Sequence, residues 1–191
     1  MHKGRLEAFS DAVIAIILTI MVLELRPPHV PSVEALRPLW PVFASYVLSF
    51  VFLGIYWSNH HHMIQSTKQV TGGVLWANMH LLFWLSLTPF VTAWLGQSGI
   101  ASVPVAAYGV VLLCSAIAYT ILTITLIKAN GKDSDFTRAI GSDLKGKISV
   151  AAYVTGIALA AWAPVVSCLI YLGVALAWLV PDPRFERHPT S

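Results

Sequence analysis

Apolar residues run through this chain in long blocks, and polar positions collect at the block edges. A bilayer core of about 30 Å is crossed by roughly 20 mostly apolar helical residues. On that measure the blocks predict spans at 6–25, 39–60, 74–95, 102–127, 147–163 and 165–181. The last two come from one apolar run, Ile148 to Val180, which at about 1.5 Å per residue reaches far beyond one crossing. Pro164 breaks the helical hydrogen-bond ladder, so a tight hairpin is expected there. One long kinked helix is the alternative; it gives five spans and puts the C-terminus on the other side.

Composition narrows the class. Of 191 residues, 57% are apolar and 11% charged, with mean hydropathy +0.71, whereas soluble domains carry about 25% charge. The expected fold is all-α, a polytopic membrane protein forming one domain over 1–191. Short cytoplasmic loops collect Lys and Arg. With six spans and the N-terminus inside, the inner segments hold Lys3, Arg5, Lys68, Lys128, Lys132, Arg138, Lys145, Lys147, Arg184 and Arg187, against Arg26 and Arg37 outside. Both termini are therefore expected in the cytoplasm. The net charge of +3 reads as topological, with no nucleic-acid partner. The basic start is read as a retained first span, because the apolar stretch is long, holds Asp11 and lacks a small-residue cleavage site before Arg26. Cys114 and Cys168 fall inside spans and are expected to pack as small apolar residues. The long inner loop, 128–147, is mixed in charge and suits an anchoring or lipid-binding role.

On a helical wheel the first span shows two faces. Ala12, Ile16, Thr19 and Leu23 form one stripe; Ser10 and Asp11 point away from it. Such a stripe suits ordinary helix packing or a lipid-facing surface. It equally suits a pore wall, where aliphatic rings dewet the conduit and a hydroxyl offers oxygen to a cation. A chain with one such helix lines a pore only by assembling as a ring.

Arg5, Ser10 and Asp11, then Trp57 to His62, then Asn78 and His80, all fall at the cytoplasmic level. Trp57 and His61 share a helix face, so either ring is placed to donate to Asp11, with Asn78 completing the set. Pairing would offset the cost of a carboxylate in the bilayer. A fold-holding lock and a role in gating or proton sensing both fit. Read as one partner of a buried charged pair, Asp11 is expected to stabilise the packing of the first three helices, and Asp11→Ala to impair folding or assembly. His60, His61 and His62 diverge by about 100° each and do not converge on one ion, so no metal is expected beyond a permeating ion. No nucleophile or His-Glu-x-x-His pattern supports an enzyme, and no cofactor is implied.

Arg5-x-x-x-Phe9-Ser10-Asp11, followed by Ala-Val-Ile-Ala-Ile-Ile-Leu-Thr, resembles the first-helix signature of the transmembrane protein 175 family, the lysosomal potassium channels and their bacterial relatives. The likeness extends through Trp57 and His60-His61 to Asn78. A single six-span repeat resembles the bacterial form, and implies a homotetramer around four first helices in the bacterial inner (plasma) membrane. Carried over, the hydrophobic constriction falls on Ile16, the hydroxyl layer on Thr19 and a further aliphatic ring on Leu23. The implied function is passive, potassium-permeable conduction, with potassium ions, the bilayer and copies of the chain as partners. No Thr-Val-Gly-Tyr-Gly filter is present. Arg5 lies near the stripe and is expected to reach Glu7, Asp11 or a neighbouring helix. The alternative is a secondary transporter or proton-coupled carrier using Asp11 and His61, although inverted repeats and broken helices are not evident in the sequence.

Overall fold

The computed structural model describes residues 3–131, 134, 137 and 143–179, and these are helical apart from short connections. Among the described residues seven α-helices are delimited: α1 (Lys3–Leu23), α2 (Trp40–Gln65), α3 (Gly72–Ser86), α4 (Thr88–Gln97), α5 (Ser102–Asn130), α6 (Leu144–Leu159) and α7 (Pro164–Leu179), with a 3-10 turn, Glu34–Leu39, leading into α2. Most of the inner loop and the tail holding Arg184 and Arg187 lie outside the described residues.

Among the described residues four segments are long and apolar enough to cross a membrane: Lys3–Leu23, Glu34–Gln65, Gly72–Gln97 and Ser102–Asn130. The third departs from the expected unbroken span, being α3 and α4 end to end. Pro89 cannot donate to the carbonyl four residues back and its ring crowds that turn. The ladder therefore tightens at Leu87, whose amide bonds Trp84 O at 3.2 Å while its carbonyl accepts from Val91 N at 3.2 Å. With one residue intervening and both its groups bonded, this is a kink and not an unwound ion-binding segment of the transporter kind.

The apolar run 148–180 does fold into a hairpin. α6 ends at Leu159, the chain turns through 160–163, and Pro164 opens α7, where a missing amide proton costs nothing. Each arm has 16 residues, about 24 Å at 1.5 Å per residue. Tyr171, fully buried, fixes the hairpin to α5. A Cβ on Gly109 would stand 2.1 Å from its hydroxyl, and one on Gly156 would stand 2.4 Å from its ring, so both glycines are required by its bulk.

Apolar packing divides into two clusters. Leu6, Ile14, Ile17 and Met21 of α1 join α2, α3 and α5 around Met63, Leu81 and Leu122. Phe52, Tyr108, Tyr153 and Tyr171 centre the second, between α2, α5, α6 and α7. Cys114 and Cys168 are free and half-buried.

Candidate functional site

α1 is buried on one side only. Leu6, Ser10, Ile14, Ile17 and Met21 recur at spacings of three and four and face α2, α3 and α4. Across the helix, Ala12, Ile16, Thr19 and Leu23 are all exposed, Ile16 at 56% and Leu23 at 75%. Thr19 Oγ1 donates to Ile16 O at 2.8 Å. That bond uses the hydroxyl proton, leaving the oxygen lone pairs as the group presented outward. An apolar groove between α1 and α4 shares Ile16 with the stripe and is lined further by Ile20, Phe90 and Trp94, with Glu24 and Gln97 among its polar residues.

Where α1 begins, four helix ends meet. Lys3 Nζ donates to Gln65 O at 2.7 Å. The Asn130 side chain ends α5 by accepting from Lys68 N and Gln69 N at 2.8 and 2.9 Å and donating to Thr67 Oγ1 at 2.6 Å. Convergence at this level holds the polar residues in two adjoining groups.

The first group is buried. Asn78 Nδ2 donates to Ser10 Oγ at 2.9 Å, and Ser10 Oγ donates to Leu6 O at 2.9 Å. With the amide so oriented Oδ1 is an acceptor, and His60 Nε2, 2.7 Å away, donates to it. Ser10, His60 and Asn78 are all wholly buried. One amide thus joins α1, α2 and α3 through an unbroken chain of donors and acceptors. The second group is half-exposed: Trp57 Nε1 donates to Asp11 Oδ1 at 3.1 Å, Trp57 stacks on His61 with ring centroids 5.9 Å apart, and His61 Nδ1 lies 3.0 Å from Glu7 Oε1. That last contact is short enough for an ion pair but is not directed as a hydrogen bond.

The expected set is therefore shared between two groups. Asp11 takes its bond from Trp57, while Asn78 reaches Ser10 and not Asp11. Phe9 is 47% exposed, between the stripe and the lock. Arg5 is exposed and has no ion-pair or hydrogen-bond partner among the described residues; Glu7 faces His61 instead. His80 accepts from Trp84 Nε1 at 2.9 Å and stands apart from the lock. Sequence reasoning placed no weight on His60 as the buried imidazole, or on the pairing of Glu7 with His61. The first was signalled by geometry, since three consecutive histidines spread around a helix and one must face inward. The second had no signal in the spacing along either helix.

The fold and this site define a multi-pass helical membrane protein whose first helix is locked by polar bonds at one end and left half-bare along its length. Residues 5–89 match the family described as endosomal/lysosomal potassium channel TMEM175. A potassium channel of Chryseobacterium sp. (strain P1-3) is 53% identical over 187 residues, covering 98% of this chain and 97% of that one. The chain belongs to the TMEM175 family. The crystal structure of a lysosomal potassium-selective channel TMEM175 homolog from Chamaesiphon minutus superposes with a TM-score of 0.82 at 27% identity, covering 93% of this chain and 96% of that one. The endosomal/lysosomal proton channel TMEM175 of Homo sapiens is 32% identical over 83 residues, 37% of this chain and 16% of its own.

Proposed function

We propose that the protein is a potassium-permeable cation channel, passive in mechanism, with a pore lined by α1 of four identical chains. Relatives named as potassium channels support the permeant ion. The single observation that carries the path is the exposure of Ala12, Ile16, Thr19 and Leu23 on the side of α1 away from α2, α3 and α4. The adjoining α1–α4 groove supplies an apolar seat for the neighbouring copy. The unit is one domain over 1–191, placed in a bacterial inner membrane with both termini on the Lys- and Arg-rich side.

Four Ile16 side chains offer no oxygen to replace water, so a narrow ring of them excludes hydrated ions by dewetting. Potassium, more weakly hydrated than sodium, loses less in shedding its shell there. The next group along the stripe, Thr19, offers lone pairs in partial replacement, and Leu23 closes the stripe with a second aliphatic ring. The charges of Asp11 and Glu7 face α2 and stay out of the conduit. The test is the reversal potential of purified protein in bilayers under opposed potassium and proton gradients. Reversal near the potassium potential is expected, with Ile16→Asn raising conductance and lowering discrimination against sodium. Reversal at the proton potential would favour the carrier reading, and an Ile16→Asn channel identical to wild type would move the path away from α1.

A further inference from the structure

We propose that Glu7, Asp11 and His61 form a binding site for a divalent transition-metal ion of the zinc type, bridging α1 to α2. One ligand atom from each of the three side chains lies within 4.8 Å of the others, and His61 Nδ1 stands 3.0 Å from Glu7 Oε1. Tetrahedral ligands at zinc distances of about 2.0–2.2 Å are separated by roughly 3.4 Å, so small rotations of the carboxylates bring all three into one shell. A fourth position remains for water from the half-exposed side, where the Glu7 and His61 side chains retain 20% and 31% of their exposure.

The donor chemistry favours a metal over a structural role for the same atoms. His61 Nδ1 is screened from solvent yet makes no directed hydrogen bond, a position that is costly for a polar atom and ordinary for a metal-bound one. Glu7 and Asp11, four apart on one helix, repel each other; a dication neutralises both. Trp57 holds Oδ1 of Asp11 and leaves Oδ2 available, the outer-shell bond that orients a ligating carboxylate. An imidazole among the donors selects zinc-like ions over magnesium and calcium, which take oxygen. Three histidines in a row along α2 cannot chelate. One of them, met by two carboxylates from α1, can. The site faces α2, away from the Ile16 stripe, and is separate from the path of the permeant ion.

The full-length protein, stripped with chelator in detergent, is titrated with zinc by calorimetry, and the cobalt form is examined by visible absorption. One zinc per chain is expected, with micromolar or tighter affinity and a raised unfolding temperature. Glu7→Gln and His61→Gln should each weaken binding at least tenfold, while His29→Gln, an exposed imidazole elsewhere, should leave it unchanged. The wild-type cobalt spectrum, which needs no variant to fold, should show intense four- or five-coordinate bands. Absence of binding, a weak octahedral spectrum, or affinity unaltered in Glu7→Gln and His61→Gln would overturn the site. None of these readouts involves ion flux, so the site and the conduction reading stand or fall separately.

Discussion

The lock that joins α1 to α2 and α3 and the tyrosine cluster that joins α5 to α6 and α7 hold helices by opposite means. In the lock, Asn78 bonds both Ser10 and His60 without exposed surface, and nearby contacts carry charge. In the cluster, Tyr171 fits between Gly109 and Gly156, and its hydroxyl lies 3.5 Å from Val105 O, a marginal bond. The polar groups beside it are neutral, Ser49 bonding Thr92 at 2.6 Å and Tyr108 at 2.8 Å. Within lipid, apolar side chains gain little by leaving tails for one another, so association rests on close fit and on hydrogen bonds. Shape fixes the hairpin in place; bonds fix the rotation and height of α1, and so decide which of its residues are bare.

The comparison breaks most sharply at Tyr171. Tyr171→Ala removes the wedge from a site closed on every side, and large-to-small changes of aromatic residues cost about 3–5 kcal/mol. The unfolding temperature in detergent should fall well below that of any lock variant. If it does not, the hairpin is held by its turn and not by the cluster. Gly109→Val should reproduce the loss by overpacking, at about 1–3 kcal/mol.

Asn78→Leu comes next, because it leaves the His60 ring buried and unpaired at about 1–3 kcal/mol, while Ser10 loses one bond and keeps the one to Leu6 O. Membrane hydrogen bonds average nearer 0.6 kcal/mol, which puts the expected total at roughly 2 kcal/mol. Selectivity and conductance should change together with stability, since α1 is then free to rotate. A destabilised variant with unaltered current would mean that the lock does not orient the stripe.

Asp11 sharpens the contrast in the other direction. Were it a buried charge, its loss would cost about 3–5 kcal/mol. Its bond to Trp57 is instead half-exposed, so Asp11→Ala should cost about 1 kcal/mol, below the roughly 1.5–3 kcal/mol of hydrogen bonds to charged groups because solvent screens it. Asp11→Asn keeps an acceptor and should recover most of that in thermal unfolding. Equal losses in the two variants would assign the stability to the carboxylate charge itself.

The hairpin was legible because a single residue bears on it: Pro164 breaks the hydrogen-bond ladder of the helix before it and is tolerated in the first turn of the helix after it. The kink at Leu87 was as local, yet Pro89 sits in the first turn of α4 and the span remains helical either side, so hydropathy sees one block. The stripe was readable from spacing, since exposure follows helix periodicity once one face is fixed. The partners within the lock were not. Whether Asn78 meets Ser10 or Asp11 depends on a helix rotation of about 100° and on the relative heights of α1 and α3, which sequence spacing does not encode. Glu7 with His61 is hidden for the same reason: a pair between helices leaves no period along either.

Thr19→Val should have the smallest effect on the fold and a selective one on function. The side chain is exposed, and its one bond is to its own helix at Ile16 O, so valine of nearly equal shape removes no contact with α2, α3 or α4. Exposed substitutions of this kind stay within about 0.5 kcal/mol. What disappears is an oxygen whose proton was already turned to the backbone and whose lone pairs faced outward. In the proposed tetramer, a ring of acceptors beyond the proposed Ile16 constriction would become a ring of methyl groups, and an ion leaving it would find nothing to replace lost water. Potassium preference over sodium should weaken in paired reversal-potential measurements, at unchanged unfolding temperature. Selectivity equal to wild type would leave Ile16 as a sieve acting through hydration alone, with the hydroxyl serving only the helix that carries it.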